Sequence, residues 1–272
     1  RKNFGQDVPV FKDAGEATLM ADYTGGTGRQ RTAVLAASMH GGGSFEVWQF
    51  TDRTPAPPLD TIRLGDLGVY AAVIRSRDIN RSFNFHSGQG ITLSKEVMKD
   101  PAGKGAYSVQ DPYGNIFRVE ESKDVFLRTR HSAGGVNGAL IGVSDIGNAQ
   151  KLYGDVLGYS SVLYDETGVF DDFAGIPGGE STFRRVKLSQ KNQRLGGLSR
   201  FFGSSFIELV QVTDRKTVKI FRDRFWGDKG FIHICFDVYN TDALKEASEA
   251  AGFPFTVDSQ GSFDMGEAQG RF

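Results

Sequence analysis

An internal repeat restricts the fold of this chain more than any other feature, because a duplicated sequence calls for a duplicated structural unit. Ser44-Phe45-Glu46-Val47-Trp48-Gln49-Phe50-Thr51-Asp52-Arg53 and Phe206-Ile207-Glu208-Leu209-Val210-Gln211-Val212-Thr213-Asp214-Arg215 share the order apolar-Glu-apolar-apolar-Gln-apolar-Thr-Asp-Arg, and Glu46 and Glu208 lie 162 positions apart. The same offset lays Gly68-Val69-Tyr70-Ala71-Ala72-Val73 over Gly230-Phe231-Ile232-His233-Ile234-Cys235. Each run is followed by a polar turn and a helix-like stretch ending in glycine, Asp78 to Gly90 and Thr241 to Gly252. Two matches in one register, with no gap between them, point to duplication rather than shared strand composition.

The bulk numbers fit that reading. The length of 272 residues suggests two domains. A net charge of −1 gives no electrostatic reason to expect nucleic acid or an anionic membrane as partner. No apolar run reaches the roughly 18 residues of a membrane span. The lone cysteine, Cys235, excludes an internal disulfide and suits a reducing, cytoplasmic location. The sequence opens at Arg1 rather than Met, so the lack of a signal-peptide pattern says little.

Residues 30–37 and 44–51 read as strands around Gly41-Gly42-Gly43, and a Pro-rich link, Pro55 to Pro58, follows. A strand over 68–75, a helix capped by Asp78, strands near 91–93 and 105–110, the turn Asp111-Pro112-Tyr113-Gly114-Asn115 and a strand over 116–119 make a β-α-β-β-β unit. Residues 122–134 read as a linker. The pattern then restarts with a strand over 139–143, a helix capped by Ser144 or Asp145 and closed at Gly158, and strands near 159–164, 182–189 and 204–212. A fourth unit opens with a strand over 230–238, a helix from Asp242 to Ala251 and a strand near 253–257. The expected fold is α+β, with tandem βαβββ units paired in chain order into two curved barrels, 1–122 and 133–272. The first and last units read as incomplete, and the chain as a fragment.

Gly142-Val143-Ser144-Asp145-Ile146, then Tyr153-Gly154-Asp155-Val156-Leu157-Gly158-Tyr159, and the hairpin Asp111-Pro112-Tyr113-Gly114-Asn115-Ile116-Phe117 resemble signatures of the vicinal oxygen chelate superfamily, the glyoxalase, bleomycin resistance and extradiol dioxygenase group. The resemblance implies a divalent metal, zinc, iron, manganese or nickel, held by the first and last strands of paired units. It also implies a small-molecule substrate that chelates the metal. A homodimer is allowed.

At the positions the resemblance singles out, His233 and Glu208 are the candidate metal ligands, and Glu208 is also the candidate catalytic carboxylate. Gly138 stands at a third position and has no donor. The fourth falls near residue 280, beyond Phe272. The ordinary readings stay open: His233 as a core or hydrogen-bonded histidine, and Glu208 as a carboxylate paired with Arg200 or Arg215, since a buried carboxylate needs a partner. In the N-terminal half Glu46 is retained, Ala71 replaces the histidine, and Arg118 replaces a carboxylate. An Arg118–Glu46 ion pair is expected there, or else an Arg118 that points to solvent. His40, His86 and His131 are expected at the surface, and Cys235 as small apolar packing. The resemblance thus allows a metal-dependent lyase, isomerase or dioxygenase working in the C-terminal cleft, a metal-free drug-sequestering binder, or a protein whose clefts are packed shut.

Overall fold

The computed structural model describes residues 1–192 and 195–261, and the backbone of two short strands, Phe263–Asp264 and Gln269–Gly270. The first strands are β1 (Val8–Glu16), β2 (Gln30–Ala37) and β3 (Phe45–Phe50), a three-stranded antiparallel sheet. The second unit comprises β4 (Gly68–Ser76), α1 (Ile79–Gly88), β5 (Met98–Lys99), β6 (Gly105–Gln110) and β7 (Ile116–Glu121). The third comprises β8 (Ala133–Gly142), α2 (Ile146–Gln150, continued by a π-helical turn Lys151–Val156), β9 (Ser161–Gly168), β10 (Phe183–Ser189), the short α3 (Ser199–Phe202) and β11 (Phe206–Val212). In the fourth, α4 (Thr241–Ala250) forms where expected, capped by Asn240. Residues 230–238 and 253–257 have no ladder partner among the described residues.

Local signals account for the boundaries. Asp78 accepts from the Arg81 amide at 3.0 Å, and Asp145, rather than Ser144, accepts from Asn148 at 2.8 Å. Gly158 closes its helix at φ +78°. Asp111 binds the amides of Tyr113 and Asn115, which fixes the turn before β7.

The second and third units share one mixed sheet of eight strands, ordered β5-β6-β7-β4-β8-β11-β10-β9 and curled into a half-barrel. Their first strands, β4 and β8, join antiparallel at its centre, and each pairs in parallel with the last strand of its own unit. The sheet therefore runs across the segment expected to divide the chain into barrels of residues 1–122 and 133–272, and units two and three pair with each other. The end of unit one packs instead against the start of unit four.

The repeat shows why. Arg215, closing unit three, donates to Asp66 at 2.8 Å and to the Leu64 carbonyl at 2.6 Å, at the entrance to unit two. Its counterpart Arg53, closing unit one, donates to Asp228 at the entrance to unit four. Asp66 and Asp228 are again 162 positions apart. The backbone repeats the contact: the Leu67 amide donates to Val218 at 2.8 Å and the Lys229 amide to Ala56 at 3.1 Å. A side chain on Gly65 would strike Val212, and one on Gly227 would strike Phe50; both glycines have positive φ, +89° and +86°. One clasp, used twice, joins unit two to three and unit one to four.

The central strands of the eight-stranded sheet are buried on both faces. Its helix-bearing face packs Ile74, Tyr107 and Val119 with Ile79 of α1, and Ile141, Val186, Leu188 and Leu209 with Ile146 of α2. Its inner face carries Ala71, Val73, Ile116, Leu140, Phe183, Phe206 and Val210, in alternation with the outer set.

Candidate functional site

The middle of the inner face is charged. Arg118 and Glu120 of β7, Arg185 and Lys187 of β10, Glu208 of β11, Asp172 and Asp100 are all buried. Arg185 donates to Glu208 at 2.8 Å and to Asp172 at 2.8 Å. Arg118 donates to Glu120 at 2.9 Å and to Asp172 at 2.5 Å. Lys187 binds Glu120 at 2.7 Å and Asp100 at 3.2 Å. Phe173 lies under the Arg185 guanidinium at 3.7 Å, and Phe206 under the Lys187 ammonium at 3.9 Å. Burial works against the charge on Lys187, but Glu120, Glu208 and Asp100 outweigh it and raise its pKa. Burial likewise disfavours the Glu120 anion, but Lys187 and Arg118 bring its pKa down to about 2.

The ligand positions named from the sequence divide between the two pairings. Ala71, Arg118, Gly138 and Glu208 face the interior of the half-barrel formed by units two and three. The metal that the resemblance implies does not fit there. Two of those positions carry no donor and one carries a cation. A side chain at Gly138 would lie 2.6 Å from the Phe206 carbonyl and 2.7 Å from its ring, so the phenyl group fills that ligand's place. Glu208 is engaged by Arg185, not by Arg200 or Arg215. Arg118 is buried, not in solvent, and binds Glu120 and Asp172 rather than Glu46, because Glu46 belongs to the other pairing.

His233 also belongs to the other pairing. Ile234 and Phe236 pack on the outer face of the eight-stranded sheet, while His233 and Cys235 lie beside Glu46 of β3. There the His233 Nε2 lies 3.5 Å from the Glu46 Oε2. The Cys235 sulfur joins them, with all three ligand atoms within 4.8 Å of one another; this is the one such group of three among the described residues. Among those residues no hydrogen bond or ion pair links His233 to Glu208. Trp226 stacks on the imidazole at 5.9 Å between centroids and meets Trp48 edge-on at 4.8 Å. Burial disfavours imidazolium, but Cys235 and Glu46 outweigh it and raise the His233 pKa to about 9. Burial would raise the Glu46 pKa, but His233 and Trp48 bring it below the usual carboxylate value. The donor set of carboxylate, imidazole and thiol fits a divalent transition metal. Donors on a tetrahedral zinc sit roughly 3.3–3.8 Å apart for bonds of about 2.0–2.3 Å.

The remaining expectations shift with the packing. His86 is buried, with Nδ1 2.7 Å from the Tyr107 hydroxyl and Nε2 3.1 Å from the Asn3 carbonyl, and His40 is buried near Arg75. Neither is a surface residue. Cys235 is exposed rather than packed. Arg185 and Lys187 were not singled out from the sequence. Their signal was alternation: Phe183, Arg185 and Lys187 share one face of a strand whose other face carries Val186 and Leu188, so both cations are carried inside.

A separate cleft of about 400 Å³ is lined by Ile62, Tyr70, Tyr113, Ile220, Lys229 and Phe231 among others. None of the helices among the described residues is long and apolar enough to cross a membrane.

The curled mixed sheet built by two βαβββ units is a glyoxalase-like fold. Residues 139–271 match the family model of the Glyoxalase/Bleomycin resistance protein/Dioxygenase superfamily. Among solved structures the chain is similar to glyoxalase I from Zea mays, at 13% identity and a TM-score of 0.41 over 68% of this chain and 55% of that one. It is also similar to methylmalonyl-CoA epimerase from Mycobacterium tuberculosis, at 14% identity and a TM-score of 0.31 over 57% of this chain and 93% of that one. The chain thus spans about half the length of the maize enzyme. No curated protein matches it.

Proposed function

We propose that the protein is a divalent-metal-dependent enzyme of the glyoxalase type, a lyase, isomerase or dioxygenase acting on a small oxygenated substrate, with its metal held by Glu46 and His233. The observation that carries this reading is the 3.5 Å approach of the Glu46 carboxylate to the His233 imidazole across the contact between units one and four. The repeat supports it, since Glu46 occupies in unit one the place of Glu208 in unit three, where Arg185 has taken the carboxylate. A bound cation would supply positive charge for the oxygen anion that develops on a chelating substrate. The chain's own residues prepare the place. Glu46 stays ionised, Trp226 fixes the plane of the imidazole by stacking, and the Trp48–Trp226 contact shields one side from water.

A second reading is favoured by the ion pair itself and by the 400 Å³ cleft walled by Tyr70, Tyr113 and Phe231: a metal-free binder of small apolar molecules. Metal content of the purified chain, after reconstitution with zinc, iron, manganese and nickel in turn, separates the two. The enzyme reading expects about one equivalent of one of these ions, lost in His233→Ala. Uptake below about a tenth of an equivalent for every ion would overturn it in favour of binding.

A further inference from the structure

We infer that Cys235 is a third ligand in the Glu46–His233 site and makes that site selective for zinc-like ions; this rests on the reading of Glu46 and His233 as a metal pair. Cys235 follows His233 by two positions and lies with it beside Glu46, while Ile234 and Phe236 pack against the eight-stranded sheet. The sulfur, the imidazole nitrogen and the carboxylate oxygen lie within 4.8 Å of one another, and the three residues come from two separate units. An apolar packing role would bury the thiol, yet Cys235 is exposed. Its exposure leaves the site open on one side, as a catalytic metal requires for water or substrate in a fourth position. Thiolate with imidazole favours zinc or cobalt over manganese, magnesium or calcium, which prefer all-oxygen sites.

Cobalt(II) reports on this directly, because sulfur bonded to cobalt gives a thiolate-to-metal charge-transfer band in the near ultraviolet. The full chain loaded with cobalt is expected to show that band. Cys235→Ser should lose it, keep the visible cobalt bands and bind zinc at least about tenfold more weakly, with less preference for zinc over manganese. The thiol is exposed, so the serine variant should fold. Cobalt bound without the band in the wild-type chain, or zinc affinity unchanged in Cys235→Ser, would overturn the role of Cys235 and leave the Glu46–His233 pair standing. A wild-type chain that takes up neither metal would overturn both.

Discussion

Arg185 serves two carboxylates, Glu208 and Asp172, and all three side chains are shut away from solvent. Removing only the cation strands two anions in a dry interior, so Arg185→Leu is expected to cost about 3–5 kcal/mol in urea denaturation. The double change Arg185→Leu with Glu208→Leu should recover some of that loss, because a well-packed apolar pair does not carry the desolvation cost. His40 gives a pH signature at the same scale. Burial, then the charges of Arg75 and Arg77, depress its pKa from 6.5 to about 4. The folded state keeps the ring neutral while the unfolded chain protonates, so this contribution is complete above pH 6.5 and is lost as pH falls through about 4. The melting temperature should drop across that window, and His40→Gln, which does not titrate, should flatten some of the drop. His86 and His131, also depressed, act in the same direction.

Arg53 and Arg215 act between elements. Each joins the end of one unit to the start of another through an aspartate whose side chain is almost wholly buried. Arg53→Ala should cost about 1.5–3 kcal/mol as a lost charged hydrogen bond. Amide exchange should rise in β3 and around Asp228 while the eight-stranded sheet keeps its protection. Arg215→Ala should loosen β11 and the entrance to β4 instead. Equal loosening everywhere in either variant would show that the two clasps are not separable. Much of this level was readable from the chain. The helix starts and most strands of units two and three follow from alternation and turn chemistry; β8 begins earlier than its apolar run suggested, and in place of the strand expected near 91–93 there is a single bridge at Thr92, with the edge strand at Met98–Lys99. β1 was not readable, since Val8–Glu16 is mostly exposed and lacks a two-residue hydrophobic period. The choice of partners was also hidden. Pairing in chain order and crosswise pairing bury the same faces, and strand patterns do not distinguish them. The signal that does is short: Gly65-Asp66-Leu67-Gly68 repeats as Gly227-Asp228-Lys229-Gly230, opposite the two Thr-Asp-Arg motifs.

Crosswise pairing relocates the chemistry of the whole molecule. Paired in chain order, Glu208 and His233 would share a barrel; paired crosswise, each keeps the company of the other half of the repeat. Glu208 then lies among three cations and four carboxylates that largely neutralise one another, Glu208 being one of the four, while His233 meets Glu46. The histidine was legible as a candidate because its type and position were both unusual. Its partner was not, because the two glutamates are indistinguishable by local sequence and only the topology chooses between them. Two neutral replacements separate the alternatives. Glu208→Gln leaves Arg185 short of a countercharge and should lower stability by about 1–3 kcal/mol, yet leave metal uptake as in the wild-type chain. Glu46→Gln, at a half-buried position, should change stability little and reduce metal affinity by at least about tenfold. Titrating both variants and the wild type with zinc, alongside their denaturation curves, reads the two effects independently. Uptake lost in Glu208→Gln and kept in Glu46→Gln would mean that the metal sits inside the half-barrel and that its ion pairs give way to it.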